Sequence, residues 1–294
     1  MIVITGATGN IGSKTAAKLL AQGKQVKVIA RNAEKLEALK KQGATVAVGD
    51  MHDAAFLTEE FKGAEAVMLL IPPNYQAENS AAHQQLIGEI QIEAIINSGV
   101  KNVVFISSQG GHDTVNTGIV TGLAKQELRL NALPDDVNVI SLRPASFMEN
   151  LFNQIGVIKN MGVMGSPVKA DMKTATIATE DIATVAADKL AKLNFKGKTH
   201  HDLLGDRDYT QKEMSAIIGK AIGKPELMYV EFPYEDNKKA LLQYGISESV
   251  ADAFNGMYKG VNDGHFAKGV RNAETTTPTS LEHFAENVFK YAMK

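Results

Sequence analysis

The chain contains no cysteine, which excludes disulfide bonds, thiolate catalysis and cysteine-ligated metal sites. Its acidic and basic residues nearly balance, for a formal net charge of −2, so the composition implies no basic surface for nucleic acid or acidic lipid. No apolar run approaches the roughly 20 residues that a membrane-spanning helix needs. We therefore expect a cytoplasmic globular protein that binds no nucleic acid, no membrane and no metal.

The first half of the chain alternates short apolar runs with segments of helical spacing. The apolar runs predict six strands, at residues 1–5, 25–30, 45–48, 66–71, 102–107 and 138–142. Helices are predicted at 14–21, 34–42, 81–98 and 122–131. This alternation favours a parallel sheet covered by helices on both sides, which is a Rossmann-type doubly wound α/β fold.

After residue 150 the pattern loosens. Helices are predicted at 181–190, 211–222, 236–258 and 280–293, with a late strand at 229–232. We expect a dinucleotide-binding domain at residues 1–150 and a smaller, mainly helical lobe at 151–294 that packs on it, with some segments returning to the sheet. The glycine-bearing segment 262–269 is either a lid with glycine hinges or a plain surface connection.

Three glycines spaced three apart lie between the first strand and the first helix, in the stretch ITGATGNIG. A loop of this kind allows a tight turn, close approach of the backbone to a pyrophosphate, and close packing of helix on strand. The phosphates then lie at the helix N-terminus, where free N–H groups favour negative charge. The stretch predicts a dinucleotide site at Gly6, Gly9 and Gly12.

The end of the second strand indicates which dinucleotide binds. An acidic residue about 20 positions after the glycines would accept hydrogen bonds from the ribose of NAD. Ala30, Arg31 and Asn32 occupy this place instead. The Arg31 guanidinium suits a 2′-phosphate, so NADP(H) is the predicted cofactor, although Arg31 as a plain surface charge is the alternative. Lys35 is a second candidate for the same phosphate.

Several longer stretches resemble one family. They are TGATGNIG, IARNAEKL, Gly49-Asp50, RPASFMENL at 143–151, ATEDIATVAADKL and TPTSLEHFAENVF, and together they span nearly the whole chain. They resemble the NmrA-like group of atypical short-chain dehydrogenases/reductases. That group includes NADPH-dependent quinone reductases and triphenylmethane-dye reductases, and also redox-sensing regulators that bind NADP without known catalysis.

The resemblance implies a set of site residues. The pyrophosphate and adjacent ribose would be held by Gly6, Thr8, Gly9, Asn10, Ile11 and Gly12. Arg31 would bind the adenosine phosphate, and Asp50 and Met51 would border the adenine. The nicotinamide half would be lined by Ile71, Pro72, Ser107, Lys125, Ala145, Ser146, Phe147 and Asn150. Ser107 and Lys125 correspond to the catalytic serine and lysine of the superfamily.

One residue departs from the superfamily pattern. The typical enzyme has tyrosine four residues before the lysine, and here Thr121 takes that place in TGLAK. A threonine hydroxyl is a poor proton donor at neutral pH. We therefore expect hydride transfer to an acceptor that is already electrophilic, such as a quinone or a cationic aromatic dye. The alternative function is a non-catalytic NADP(H) sensor that acts through a protein partner.

The remaining candidates each have a plainer alternative. His112 is a tentative proton donor or a surface histidine, and Lys125 contacts the cofactor or is only a helix-surface charge. Tyr258, with Phe147 and Asn150, is a tentative substrate contact. An adaptable apolar pocket is expected from Met161, Met164, Phe147, Phe152 and Tyr258, unless these side chains only fill the core. A small-molecule acceptor is the expected partner, and both monomer and homodimer remain open.

Overall fold

The computed structural model describes residues 1–293. The strands are β1 (Ile2–Ile4), β2 (Val26–Ala30), β3 (Thr45–Val48), β4 (Ala66–Leu70), β5 (Asn102–Ile106), β6 (Asn138–Pro144), β7 (Ser146–Phe147), β8 (Val163–Ser166), β9 (Lys173–Ile177), β10 (Lys198–Leu203), β11 (Asp208–Thr210) and β12 (Met228–Glu231). The helices are α1 (Asn10–Ala21), α2 (Glu37–Lys41), α3 (Ala54–Phe61), α4 (Ser80–Ser98), α5 (Thr121–Asn131), α6 (Gln154–Met161), α7 (Thr179–Lys192), α8 (Gln211–Ala221), α9 (Tyr234–Gln243), α10 (Glu248–Asn262), α11 (Leu281–Phe284) and α12 (Lys290–Ala292). A π-helical turn, Ala285–Phe289, joins the last two helices.

A parallel sheet of seven strands lies at the centre of the described chain, in the order β10-β6-β5-β4-β1-β2-β3. The order reverses between β1 and β4, so the loops after these strands diverge and leave a crevice. The predicted Rossmann-type doubly wound fold is confirmed. The strand ends lie within about two residues of the predicted bounds, because continuous apolar runs mark strands that are covered on both sides.

Both sides of the sheet are buried. On β1, Ile2 and Ile4 contribute to one apolar core with α1 and α7, while Val3 contributes to the other with α3 and α4. Successive strand residues point to opposite sides, which explains this division. In the described residues 1–293, no helix is both long and apolar enough to cross a membrane.

The second half of the chain contributes to both parts of the molecule. β10 pairs with β6 at the edge of the large sheet, and α7 packs against α1. The remaining strands form two small sheets, β11-β9-β7 and β12-β8. These pack with α8 and α11 around a separate apolar core that contains Tyr209, Phe284 and Phe289. The division at residue 150 stays a prediction, with β10 and α7 as segments that return to the sheet.

Some local predictions were wrong. The helix predicted at 236–258 is two helices, α9 and α10, and α3 was not predicted although Asp53 caps its first turn. α1 begins four residues earlier than predicted, directly at the glycine loop. The last helical segment begins after Ser280, whose hydroxyl accepts the His283 backbone N–H, while the Thr279 hydroxyl donates to Asp181 at 2.8 Å.

Candidate nucleotide-binding and active site

The glycine loop after β1 is held in a conformation that leaves little space for side chains. Gly6 has a φ of +63°, which favours glycine. A Cβ atom on Gly12 would lie 2.3 Å from the Gly6 carbonyl oxygen, which is closer than any real contact. The Gly9 N–H donates to the same oxygen at 3.0 Å. These contacts pack α1 tightly against β1 and explain why glycine is needed at positions 6 and 12.

The N-terminus of α1 has no side-chain cap. Gly9 precedes the helix and has no side chain to accept from the first N–H groups, and no acidic residue lies in the first turn. By contrast, Asp53 caps α3 and Asn79 caps α4, each by accepting a backbone N–H. Uncapped N–H groups need another partner. Thr8, Gly9 and Asn10 are exposed here, so the loop fits the pyrophosphate of a dinucleotide.

Arg31 lies exposed at the carboxyl end of β2, and its guanidinium has no hydrogen-bond or ion-pair partner within residues 1–293. Lys35 is exposed nearby, four residues along the chain. Asp50, at the end of the adjacent β3, is paired with His52 Nδ1 at 2.7 Å. The hydrogen bonds from His52 hold the pKa of Asp50 below its usual range, with a smaller contribution from the Arg31 charge. The arrangement leaves Arg31 available for a phosphate.

The predicted residues on the nicotinamide side come from the ends of β4 and β6. Ile71 and Ala145 are buried, whereas Pro72 and Phe147 are partly exposed. The exposed residues of this group, Ser146 and Asn150, follow β6. The Ala145 N–H donates to Leu203 O of β10, so the edge strand fixes the start of this segment. Their assignment as cofactor or substrate contacts stays a prediction.

Ser107, at the end of β5, belongs to a buried network that was not predicted. Its hydroxyl donates to Glu127 Oε1 at 2.5 Å. Glu127, on α5, also accepts from Arg143 of β6, with Nη2 to Oε2 at 2.6 Å and Nε to Oε1 at 3.0 Å. Glu127 is 2% exposed, so its charge requires these partners. The sequence carried one signal: Glu127 lies in the apolar stripe of α5, between Ala124 and Leu130.

Thr121, in the place of the usual tyrosine, has its hydroxyl 3.2 Å from that of Thr117. Thr117 donates its one proton to Asp113 O at 3.1 Å, so in the threonine pair Thr121 is the donor. Lys125 is exposed, and its ammonium group has no partner in the described chain. Two residues of helix turn through about 200°, so Lys125 and Glu127 project from nearly opposite sides of α5. The structure therefore does not bring Lys125 together with Ser107.

The segment 262–269 packs against the loop that follows β5. His265 Nδ1 lies 3.1 Å from Asp113 Oδ2, and a Cβ atom on Gly110 would lie 2.9 Å from the Phe266 ring. His112 is exposed in the same loop. Desolvation, and then the charges of Lys268 and Arg143, lower the pKa of His112, which makes it a weaker proton donor at neutral pH.

Two of the five residues predicted to form an apolar pocket belong to the core of the second lobe. Met164 is 2% exposed in the core of the second lobe, and the Phe152 ring packs against those of Phe284 and Phe289. Met161 is 61% exposed on the surface. Phe147 and Tyr258 are partly exposed.

Glu149, within RPASFMENL, joins the two parts of the molecule and was also not predicted as a site residue. Its carboxylate accepts from the Thr179 backbone N–H at 3.0 Å, at the start of α7, and from the Thr179 hydroxyl. Lys14 of α1 donates to the same hydroxyl at 2.9 Å. The motif thus connects the helix that follows the glycine loop to the segment after β6.

Comparison with known proteins agrees with this geometry. A model of the NmrA-like family matches residues 1–288. The NAD(P)H azoreductase of Xenophilus azovorans is 28% identical, over 97% of this chain and 96% of its own. Quinone oxidoreductase 2 of Escherichia coli K12 is 26% identical, over 96% of this chain and 98% of its own length.

A solved structure gives the same picture. The NADPH complex of an NADPH-dependent quinone oxidoreductase from Escherichia coli superposes with a TM-score of 0.82 at 25% identity. The match covers 98% of this chain and all of the other.

Proposed function

The chain belongs to the NmrA-like family, and from this premise we propose that it transfers a hydride from NADPH to an electrophilic small molecule such as a quinone or a cationic aromatic dye. It is an NAD(P)H-dependent oxidoreductase, and its cofactor is NADP(H). When bound, NADPH supplies the hydride. The residues of this chain bind and orient the reactants and exclude water.

We assign the phosphate-binding groups because they have no hydrogen-bond partner within the described residues. The uncapped N–H groups at the start of α1 bind the pyrophosphate, and Arg31 binds the 2′-phosphate by a forked pair of hydrogen bonds. Asp50, which is ionised at neutral pH and whose pKa His52 lowers further, accepts hydrogen bonds at the adenine end. Ile71, Pro72 and Phe147 supply apolar surface on the nicotinamide side.

The choice of acceptor rests on one observation: the hydroxyls of Ser107 and Thr121 both donate hydrogen bonds to other protein groups. Ser107 gives its proton to Glu127, and Thr121 gives its proton to Thr117. Neither is free to protonate a substrate while hydride is transferred. An acceptor that takes hydride without prior protonation suits this site, and quinones and triphenylmethane cations are such acceptors.

The test is NADPH oxidation, followed by the loss of its absorbance, with quinones, triphenylmethane dyes, azo dyes and imines. We expect turnover with quinones or dyes and a preference for NADPH over NADH. Tight NADPH binding without turnover of any acceptor would favour the non-catalytic sensor. A simple sugar alcohol as substrate for the reverse reaction is the negative control, because its oxidation needs a general base that the Thr121 position lacks.

A further inference from the structure

The reduced oxygen of a quinone needs a proton, and the two hydroxyls expected near it cannot supply one. One other hydroxyl is available. Tyr258 has no hydrogen-bond partner in residues 1–293, whereas the partly or fully buried Tyr209 and Tyr229 of the same lobe both have one. Tyr209 bonds to Asp206 at 2.7 Å, and Tyr229 donates to Val168 O at 2.8 Å. Tyr258 is thus a polar group that the fold leaves unused.

α10, which carries Tyr258, is fixed against the loops at the carboxyl edge of the sheet. A Cβ atom on Gly118 would lie 2.1 Å from the Met257 nitrogen, and one on Gly260 would lie 2.3 Å from Asn116 O. These are backbone-to-backbone contacts with the loop after β5. At its N-terminus, Ser247 donates to Ala77 O of the loop after β4. The helix therefore has a defined position relative to both loops.

Tyr258 projects from the side of α10 that lies away from the loop after β5. Gly256 contacts Gly118, and two residues further along the helix Tyr258 points in nearly the opposite direction. One turn earlier, Phe254 occupies the same side as Tyr258, and its ring stacks on Tyr75 with centroids 6.3 Å apart. Tyr75 belongs to the loop that follows Ile71 and Pro72. One turn after Tyr258, Asn262 Nδ2 donates to Pro167 O of the second lobe at 2.8 Å. The side of α10 with Tyr258 therefore extends from the loop after β4 to the second lobe.

A tyrosine hydroxyl is protonated at neutral pH, and burial raises the pKa of Tyr258 further above its usual range. A protonated phenol without a protein acceptor is a hydrogen-bond donor for a ligand. Its ring also offers a flat apolar surface to an aromatic acceptor.

We propose that the Tyr258 hydroxyl donates a hydrogen bond to the oxygen of a bound quinone and, on reduction, its proton. This rests on the proposed reductase function. NADPH supplies the hydride and leaves as NADP⁺, so the quinone gains two electrons and becomes a hydroquinone anion. The Tyr258 O–H bond breaks as the second O–H bond of the hydroquinone forms. The tyrosinate then regains a proton from water.

The test compares Tyr258→Phe with wild type on two acceptors. Benzoquinone needs protons on its oxygens, whereas crystal violet takes hydride on its central carbon and needs no proton. Benzoquinone cannot alkylate a cysteine here, because the chain has none. We expect kcat/KM for benzoquinone to fall about tenfold to a hundredfold, near the lower end for loss of a proton donor. The value for crystal violet should stay within about twofold.

A second readout does not depend on turnover. Calorimetric titration measures hydroquinone binding to the NADP⁺ complex directly. Tyr258→Phe should weaken hydroquinone binding roughly threefold to tenfold, as expected for loss of one hydrogen bond. Tyr291→Phe, which removes the same atom from a residue that is 61% exposed on α12, is the matched control and should behave as wild type.

The outcomes separate the two proposals. If wild type reduces benzoquinone and Tyr258→Phe does so equally well, the proton-donor role is wrong and the reductase function stands. If kcat/KM falls equally for benzoquinone and crystal violet, Tyr258 acts by shaping the site, and this result also contradicts the proton-donor role. If wild type reduces neither acceptor, the proposed function fails and proton donation fails with it.

Discussion

The two halves of the sheet's carboxyl edge differ in how they use polar groups. In the half formed by the loops after β1, β2 and β3, which we call the nucleotide half, the first N–H groups of α1 and the Arg31 guanidinium have no partner in the described residues. In the half formed by the loops after β5 and β6, which we call the acceptor half, Ser107, Glu127 and Arg143 bond to one another.

Burial explains the difference. Arg31 is exposed, so water solvates its charge until a ligand arrives, whereas Glu127 is sealed from water and must be paired within the protein. A site for a charged ligand needs unpaired groups that water can reach. A surface that binds an apolar ring excludes water, so the polar groups behind it need hydrogen-bond partners within the protein. The comparison predicts stability effects in the acceptor half and binding effects in the nucleotide half.

The largest expected effect is on stability, from Arg143→Met. This change leaves the Glu127 carboxylate buried without its cation and should lower the free energy of unfolding by about 3–5 kcal/mol. Denaturant unfolding measures it. The double variant Glu127→Gln with Arg143→Met keeps an acceptor for Ser107 and should recover at least half of the loss. If the double variant recovers none of the lost free energy of unfolding, Arg143 does not act by pairing with Glu127.

A smaller effect is expected from Gly12→Ala in the nucleotide half. Its Cβ would collide with the Gly6 backbone, so the loop must shift, at about 1–3 kcal/mol of stability, and NADPH binding should fall as well. Gly9→Ala is the matched control, because its nearest contact is an ordinary 3.4 Å. It should change stability by less than about 0.5 kcal/mol, while its methyl group still obstructs the pyrophosphate. Wild-type NADPH affinity in Gly9→Ala would argue against the phosphate site.

Arg31→Ala should affect binding alone. Loss of charge-assisted hydrogen bonds worth about 1.5–3 kcal/mol corresponds to NADPH affinity weaker by roughly tenfold to a hundredfold. Affinity for NADH, which lacks the 2′-phosphate, should not change, and neither should the unfolding midpoint. Lys35→Ala is the comparison variant and should have a smaller effect. Calorimetric titration with both cofactors distinguishes these results, and unchanged NADPH affinity in Arg31→Ala would refute the assignment.

The smallest effect concerns pH. The pKa of Asp50 is lower in the folded protein than in the unfolded chain, chiefly because of the hydrogen bonds from His52. Its contribution to stability is therefore present at neutral pH and is lost as pH falls through the folded pKa, in the range from about pH 5 downward. Asp50 is exposed, so the change in Tm should be slight. His52→Ala should reduce this change of Tm with pH. If the variant keeps the wild-type change of Tm at acid pH, His52 is not its cause.

Sequence patterns located the polar groups of the nucleotide half better than those of the acceptor half. The glycine loop and Arg31 are local features, in which spacing along the chain fixes position in space. Glu127 and Arg143 are 16 residues apart, on a helix and a strand, and only the packing of α5 on the sheet brings them together. Tyr258 was singled out as a substrate contact, but its free hydroxyl depends on what surrounds it. β10 was missed because KTHHDL, a polar edge strand, lacks the apolar run of a central one.

The glycine side of α10 has a consequence for how substrate preference can change. The helix meets the loop after β5 through backbone atoms at Gly118, Gly256 and Gly260, so these contacts do not depend on which side chains lie elsewhere along it. Exchange of Tyr258, on the opposite side, leaves these backbone contacts in place. Substitutions on the side of α10 that carries Tyr258 would change which acceptor fits and would leave the nucleotide half unchanged. One scaffold could in this way acquire new acceptors by few substitutions.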